Sequence, residues 1–94
     1  REAGVAAAAA ALAAADRRAA EDHEILAGLL DRRAELRGRL GALRAKASAR
    51  GRSEDLALDE LHTRAHDLLW TAPCDLAAAT VAVRAYQRAL ETTP

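Results

Sequence analysis

From Val5 to Arg50, positions spaced alternately three and four apart read Val5, Ala8, Leu12, Ala15, Ala19, Asp22, Leu26, Leu29, Arg33, Leu36, Leu40, Leu43, Ala47 and Arg50, with no proline among the residues between. On a helix this spacing gathers apolar side chains into one narrow seam, which other helices must cover. The expectation is an all-α fold built on one long helix, from about residue 3 to 49, roughly 70 Å if straight at 1.5 Å per residue. Asp22 and Arg33 intrude on the seam. Such polar residues either set register at a cost in stability or point outward where the seam drifts.

Two shorter helices follow. Gly51 is the natural left-handed residue to end the first. Ser53 then reads as the cap of a second helix, about 54–71, with Glu54 and Asp55 near the positive end of its dipole. Its seam is Leu58, Leu61, Ala65 and Leu68, flanked by Leu56, Leu69 and Trp70. Pro73 breaks helical geometry at Ala72, and Asp75 (or alternatively Thr71) caps a third helix, about 75–92. That helix carries Leu76, Ala79, Val83, Tyr86 and Leu90. The fold class is therefore one long helix plus a short antiparallel hairpin, in coiled-coil-like three-helix packing. The hairpin is too short to cover the whole seam. Residues 1–28 form an Ala-rich half-helix left without cover, and residues 29–94 form the three-helix part. Gly28, Gly38 and Gly41 each weaken the long helix by up to about 1 kcal/mol relative to Ala and mark a bend or a close backbone approach.

Composition limits the core. Of 48 residues counted as hydrophobic, 27 are Ala, so few side chains bring substantial apolar area. Each buried Leu contributes roughly 1.5–3 kcal/mol and each Ala much less. A core this thin makes oligomerisation a physical expectation. The 94 residues are read as a single helical module, a segment of a longer protein because the chain begins at Arg1. Thirteen Arg against one Lys, with abundant Ala, suit a GC-rich genome such as an actinobacterium's. Residues 5–15 are too short and too weakly hydrophobic for a membrane span, and no basic segment precedes them as in a signal peptide. A cytoplasmic protein without membrane attachment is the default.

Net zero charge hides segregation. Residues 31–52 sum to +6 and residues 53–75 to −5. An antiparallel turn between the blocks lays opposite charges side by side. The alternative use of the basic block is a nucleic-acid face carried by Arg32, Arg33, Arg37 and Arg44 within residues 32–52. Those charges are scattered around the helix and no aromatic residue interleaves them, so nucleic acid is the weaker partner.

Catalytic chemistry is not indicated, and no cofactor is expected. Asp59, His62 and His66 share a helical face and are the one metal candidate, although a closed zinc site needs four ligands. The competing reading is a surface stripe in which His62 pairs with a carboxylate. Cys74 lies near a helix N-terminus but lacks a base, and small buried cysteines are common. Phosphate loops and serine-nucleophile motifs are absent. Trp70 and Tyr86 read chiefly as plugs at the ends of the hairpin, with Trp70 as a binding anchor the alternative.

The stretch Leu68-Leu69-Trp70-Thr71-Ala72-Pro73-Cys74-Asp75-Leu76, running into Ala85-Tyr86-Gln87-Arg88-Ala89-Leu90, resembles a recurrent helical segment of uncharacterised actinobacterial proteins. The likeness covers roughly residues 30–92 and brings no functional residue with it. The functional expectation is a non-enzymatic interaction or oligomerisation module in a regulatory or scaffolding protein. Its interface is Ala8, Leu12, Ala15, Ala19, Leu26 and Leu29, and its partner is a second copy (a dimer first) or another protein's helix.

Overall fold

A computed structural model describes residues 2–92 of the chain. Three helices account for most of them: α1, Glu2–Ala49; α2, Leu56–Leu69; and α3, Leu76–Thr92. The described residues fall into two units, 2–30 and 31–92. None of the described helices is long and apolar enough to cross a membrane.

The three-helix unit is organised by one stripe of α1. Leu36, Leu40, Leu43 and Ala47 are the buried residues of that helix, and they are the C-terminal run of the seam. They meet Leu58, Ala65 and Leu69 of α2 and Ala79, Ala82, Val83, Tyr86 and Leu90 of α3 in a single cluster. Buried positions three, four and seven apart are what a helix offers to one side. In α2 the buried terminal leucine is Leu69 rather than Leu68, which is only partly covered, and Leu56 is exposed. Ala65, Ala79 and Ala82 let α2 and α3 approach within 8 Å between Cα atoms, whereas α1 stays beyond that distance from both. Leucine knobs hold packed helices farther apart than alanines do.

The ends of the helices explain where the chain turns. Gly51 has φ +73°. Arg52 N–H donates to Ala47 C=O at 2.9 Å and Gly51 N–H to Ser48 C=O at 3.0 Å. This is the paired Schellman closure that a left-handed glycine permits. The cap of α2 is Asp55, not Ser53: its Oδ1 accepts from Leu58 N–H at 3.1 Å. Asp55 prevails because its other oxygen accepts from Arg52 Nη2 at 2.9 Å, while Asp55 N–H donates to Arg52 C=O at 3.2 Å. The Arg52 guanidinium foremost, and then the Leu58 N–H, hold the Asp55 carboxyl below its usual pKa. Asp75 caps α3 as its sequence position suggests, accepting from Ala78 N–H at 3.0 Å. Thr71 is no cap; its hydroxyl donates to Asp67 C=O across the end of α2. The turn between α2 and α3 contains a cis Ala72–Pro73 peptide.

The glycines of α1 do not mark close approaches, since a Cβ at Gly28, Gly38 or Gly41 would meet nothing within 4 Å. Gly51 has the same open surroundings but a backbone that L-residues rarely adopt. Replacing Gly by Ala should therefore have opposite signs at these sites. In urea unfolding, Gly38→Ala and Gly41→Ala should each stabilise by up to about 1 kcal/mol. Gly51→Ala should destabilise by about 1–2 kcal/mol.

Candidate protein-interaction site

Residues 2–30 of α1 present apolar side chains without cover. The expected interface residues Ala8, Leu12, Ala15, Ala19, Leu26 and Leu29 are all exposed. Two further residues join them: Ile25 is 63% exposed and Leu30 54%, beside Leu26 at 56% and Leu29 at 50%. At about 100° per residue these four large aliphatics occupy roughly 140° of the helix circumference, a band wide enough for a partner. Seam spacing alone missed Ile25 and Leu30 because they flank the three–four column. The signal available was the dense run Ile25-Leu26-Ala27-Gly28-Leu29-Leu30. Val5 and Leu12 extend the exposed apolar surface toward the N-terminus.

The basic block of residues 31–52 meets the acidic block in two ion pairs, Arg44–Asp59 and Arg52–Asp55, but most of its contacts lie elsewhere. Arg33 Nε donates to Leu69 C=O at 2.8 Å, and Arg37 donates to the same oxygen through Nε at 3.1 Å and Nη2 at 2.8 Å. Leu69 is the last residue of α2, where unpaired carbonyls carry the negative end of the helix dipole. At the end of α3, Leu90 C=O accepts from Arg50 Nη1 at 3.5 Å and Arg52 Nη1 at 3.3 Å. Arg44–Asp59, at 3.0 Å, is the ion pair between α1 and α2. Arg32 and Arg39 pair with Glu35 along their own helix. The +6 block thus answers the carbonyls at two helix ends more than it answers the −5 block. Of the four residues of the nucleic-acid alternative, Arg33, Arg37 and Arg44 are held by the hairpin and Arg32 by Glu35.

His62 and His66 of α2 and Trp70, the residue that caps its C-terminus, are four residues apart, so their rings stack in a column along one face. His66 lies 4.3 Å from Trp70 with planes 13° apart, and His62 lies 6.1 Å from His66. The Arg37 guanidinium sits 4.4 Å from the Trp70 ring centroid, and His62 meets Tyr86 edge-on at 5.6 Å. Trp70, 47% exposed, is no interior plug, whereas Tyr86 is buried. The indole is a platform for Arg37 and His66 because α2 ends there, at the surface. The Asp59, His62 and His66 candidate is not drawn together as a ligand set. Asp59 accepts from Arg44, and the imidazoles face aromatic rings. Among the described residues no three His, Cys, Asp or Glu side chains are grouped to hold a metal ion. Cys74 is half-buried, with Sγ 3.3 Å from Leu68 C=O.

The outer side of α2 and the turn after it form an open groove of about 610 Å³, lined by Asp59, Glu60, Arg64, Asp67 and Asp75 among others. Three of its carboxylates have partners: Asp59 accepts from Arg44, Asp67 lies 3.6 Å from His66 Nδ1, and Asp75 caps α3. Comparison with protein-family models, curated proteins and solved structures finds no match. The resemblance of residues 30–92 to actinobacterial helical segments therefore acquires no family from these comparisons.

Two expectations follow from these contacts. Arg37→Ala removes a guanidinium that makes two donations to one terminal carbonyl and a stacking contact. It should destabilise the chain by about 1–3 kcal/mol in denaturant unfolding, with a change in Trp70 fluorescence. Burial, then the charges of Arg44 and His66, lower the His62 pKa below its usual 6.5. A depressed imidazole contributes stability above its unfolded pKa, and that contribution is lost as pH falls toward the folded value. Melting temperature should therefore fall from pH 7.5 to pH 5, a window above the titration of Asp55, and His62→Gln should flatten the dependence.

Proposed function

We propose that this chain is a non-enzymatic helical interaction module, acting in a regulatory or scaffolding protein through the apolar face of α1 residues 2–30. The observation that carries the reading is the exposure, by half or more, of Ile25, Leu26, Leu29 and Leu30 within six residues. Burying such side chains contributes roughly 1.5–3 kcal/mol each, so a helix that covers them gains enough to hold. A contiguous apolar surface flanked by charged residues marks an association site rather than ordinary solvent-facing helix. The chemistry of helix-in-groove or helix-on-helix recognition needs anchors at this spacing and nothing more.

The rival reading, a nucleic-acid contact through Arg32, Arg33, Arg37 and Arg44, loses support from the partners those guanidiniums already have. Phosphate binding would have to break the donations to Leu69 C=O and the Arg44–Asp59 pair.

Light scattering at micromolar concentration should return a mass above the 10.0 kDa of one chain. Leu26→Asp together with Leu29→Asp should reduce the mass to that of a monomer and leave the near-ultraviolet circular dichroism of Trp70 and Tyr86 unchanged. A wild-type chain that stays monomeric, and also captures no helix from a peptide panel presenting leucine seams, would refute the reading.

A further inference from the structure

We infer that the occupant of this face is a second copy of the same chain, laid antiparallel, with Leu12 of one copy opposite Leu29 of the other. Ala15 then faces Leu26, and Ala19 faces Asp22. The inference rests on the interaction reading above and names its partner.

Size complementarity is the first argument. The bulky side chains of residues 2–30 are concentrated in Ile25, Leu26, Leu29 and Leu30, whereas residues 6–11 are all Ala and Ala13, Ala14 and Ala15 follow Leu12. A parallel, in-register pair would set Leu on Leu at one end and Ala on Ala at the other. Those contacts require interaxial distances of about 10 Å and about 8 Å, so the two helices would have to converge along the pair. Antiparallel pairing places Leu26 of each copy over Ala15 of the other and sets a Leu12–Leu29 layer on each side of the centre, so the bulk is shared equally between the two ends and the helices need not converge toward one of them.

Charge is the second. Parallel pairing puts Asp22 against Asp22 inside the seam, a like-charge contact in partly desolvated surroundings. Antiparallel pairing sets Asp22 opposite the small Ala19, one residue from Arg18 of the other copy. It also brings the acidic run Glu21, Asp22 and Glu24 level with Arg17 and Arg18. Within its own chain, neither Arg18 nor Asp22 is in an ion pair among the described residues. Both are free to make one.

The register follows from the same side chains. Moving the pair by one heptad in one direction places Leu12 opposite Asp22, and in the other direction places Leu26 opposite it. Each would bury a carboxylate against a leucine. In the chosen register Ala8 faces Arg33, which already donates to Leu69 C=O, so the paired seam runs from Leu12 to Leu29 and residues 2–7 lie outside it.

The test is pulsed electron–electron resonance on nitroxide labels, in a Cys74→Ser chain, at the concentration where light scattering reports the oligomer. Ala6→Cys, Ala13→Cys and Ala20→Cys each place one label on an exposed position seven residues from the next. In the antiparallel pair equivalent labels are offset along the axis by about 1.5 Å at residue 20, about 22 Å at 13 and about 44 Å at 6. The inter-copy distance should therefore lengthen in that order, by about 25 Å overall. Equal distances at all three labels overturn the antiparallel inference while leaving association through α1 standing. A defined oligomer whose distances follow neither pattern overturns it likewise. A monomer overturns this inference and the self-associating form of the reading beneath it.

Discussion

Leu36, Leu40, Leu43 and Ala47 form the stripe of α1 against which α2 and α3 close, and the packing of residues 31–92 is arranged around its burial. The stripe is one residue wide, so the hairpin must present two helices to it at once. It does so by drawing α2 and α3 together over Ala65, Ala79 and Ala82. Tyr86 supplies the largest fully buried side chain of a core that has no phenylalanine or methionine. Ile25, Leu26, Leu29 and Leu30 of α1, each exposed by half or more, have the same need for cover.

Once the stripe is closed, the arginines beside it come within reach of helix ends. The residues that follow α2, Trp70 to Asp75, include no glycine that would close locally on its terminal carbonyls. Arg33 and Arg37 meet this need at Leu69, and Arg50 and Arg52 meet it at Leu90. Hydrogen bonds from a charged donor to a carbonyl at the negative end of a helix dipole are stronger than neutral ones. This gives the basic block a structural purpose, and it explains why Arg33 interrupts the seam. The guanidinium stands at the end of the covered stripe, where α2 terminates.

Much of this was legible in the residues. The three–four column located the buried stripe of α1 and most of α3, and Gly51, Asp75 and Pro73 marked turns by conformational rules that act locally. The errors are informative. Ser53 looked like a cap because capping propensity is judged residue by residue, yet Asp55 takes the role through its contact with Arg52. Trp70 looked like a plug because large aromatics are usually buried, but α2 ends at the surface and leaves the indole between Arg37 and His66. The face of Asp59, His62 and His66 suggested metal ligands when read without Arg44, which takes Asp59, and without the Trp70 and Tyr86 rings that the imidazoles meet.

By itself the sequence determined the number of helices, their approximate ends and which face of each is apolar, since these depend on spacing, propensity and backbone preferences within a few residues. The tertiary structure alone decided which partners the charges take. Side chains far apart in the chain compete for the same carbonyls and carboxylates, and only packing sets the distances that choose among them. It also decided that Leu69 rather than Leu68 is the buried leucine at the end of α2, because which of two neighbouring side chains turns inward depends on how the helices pack.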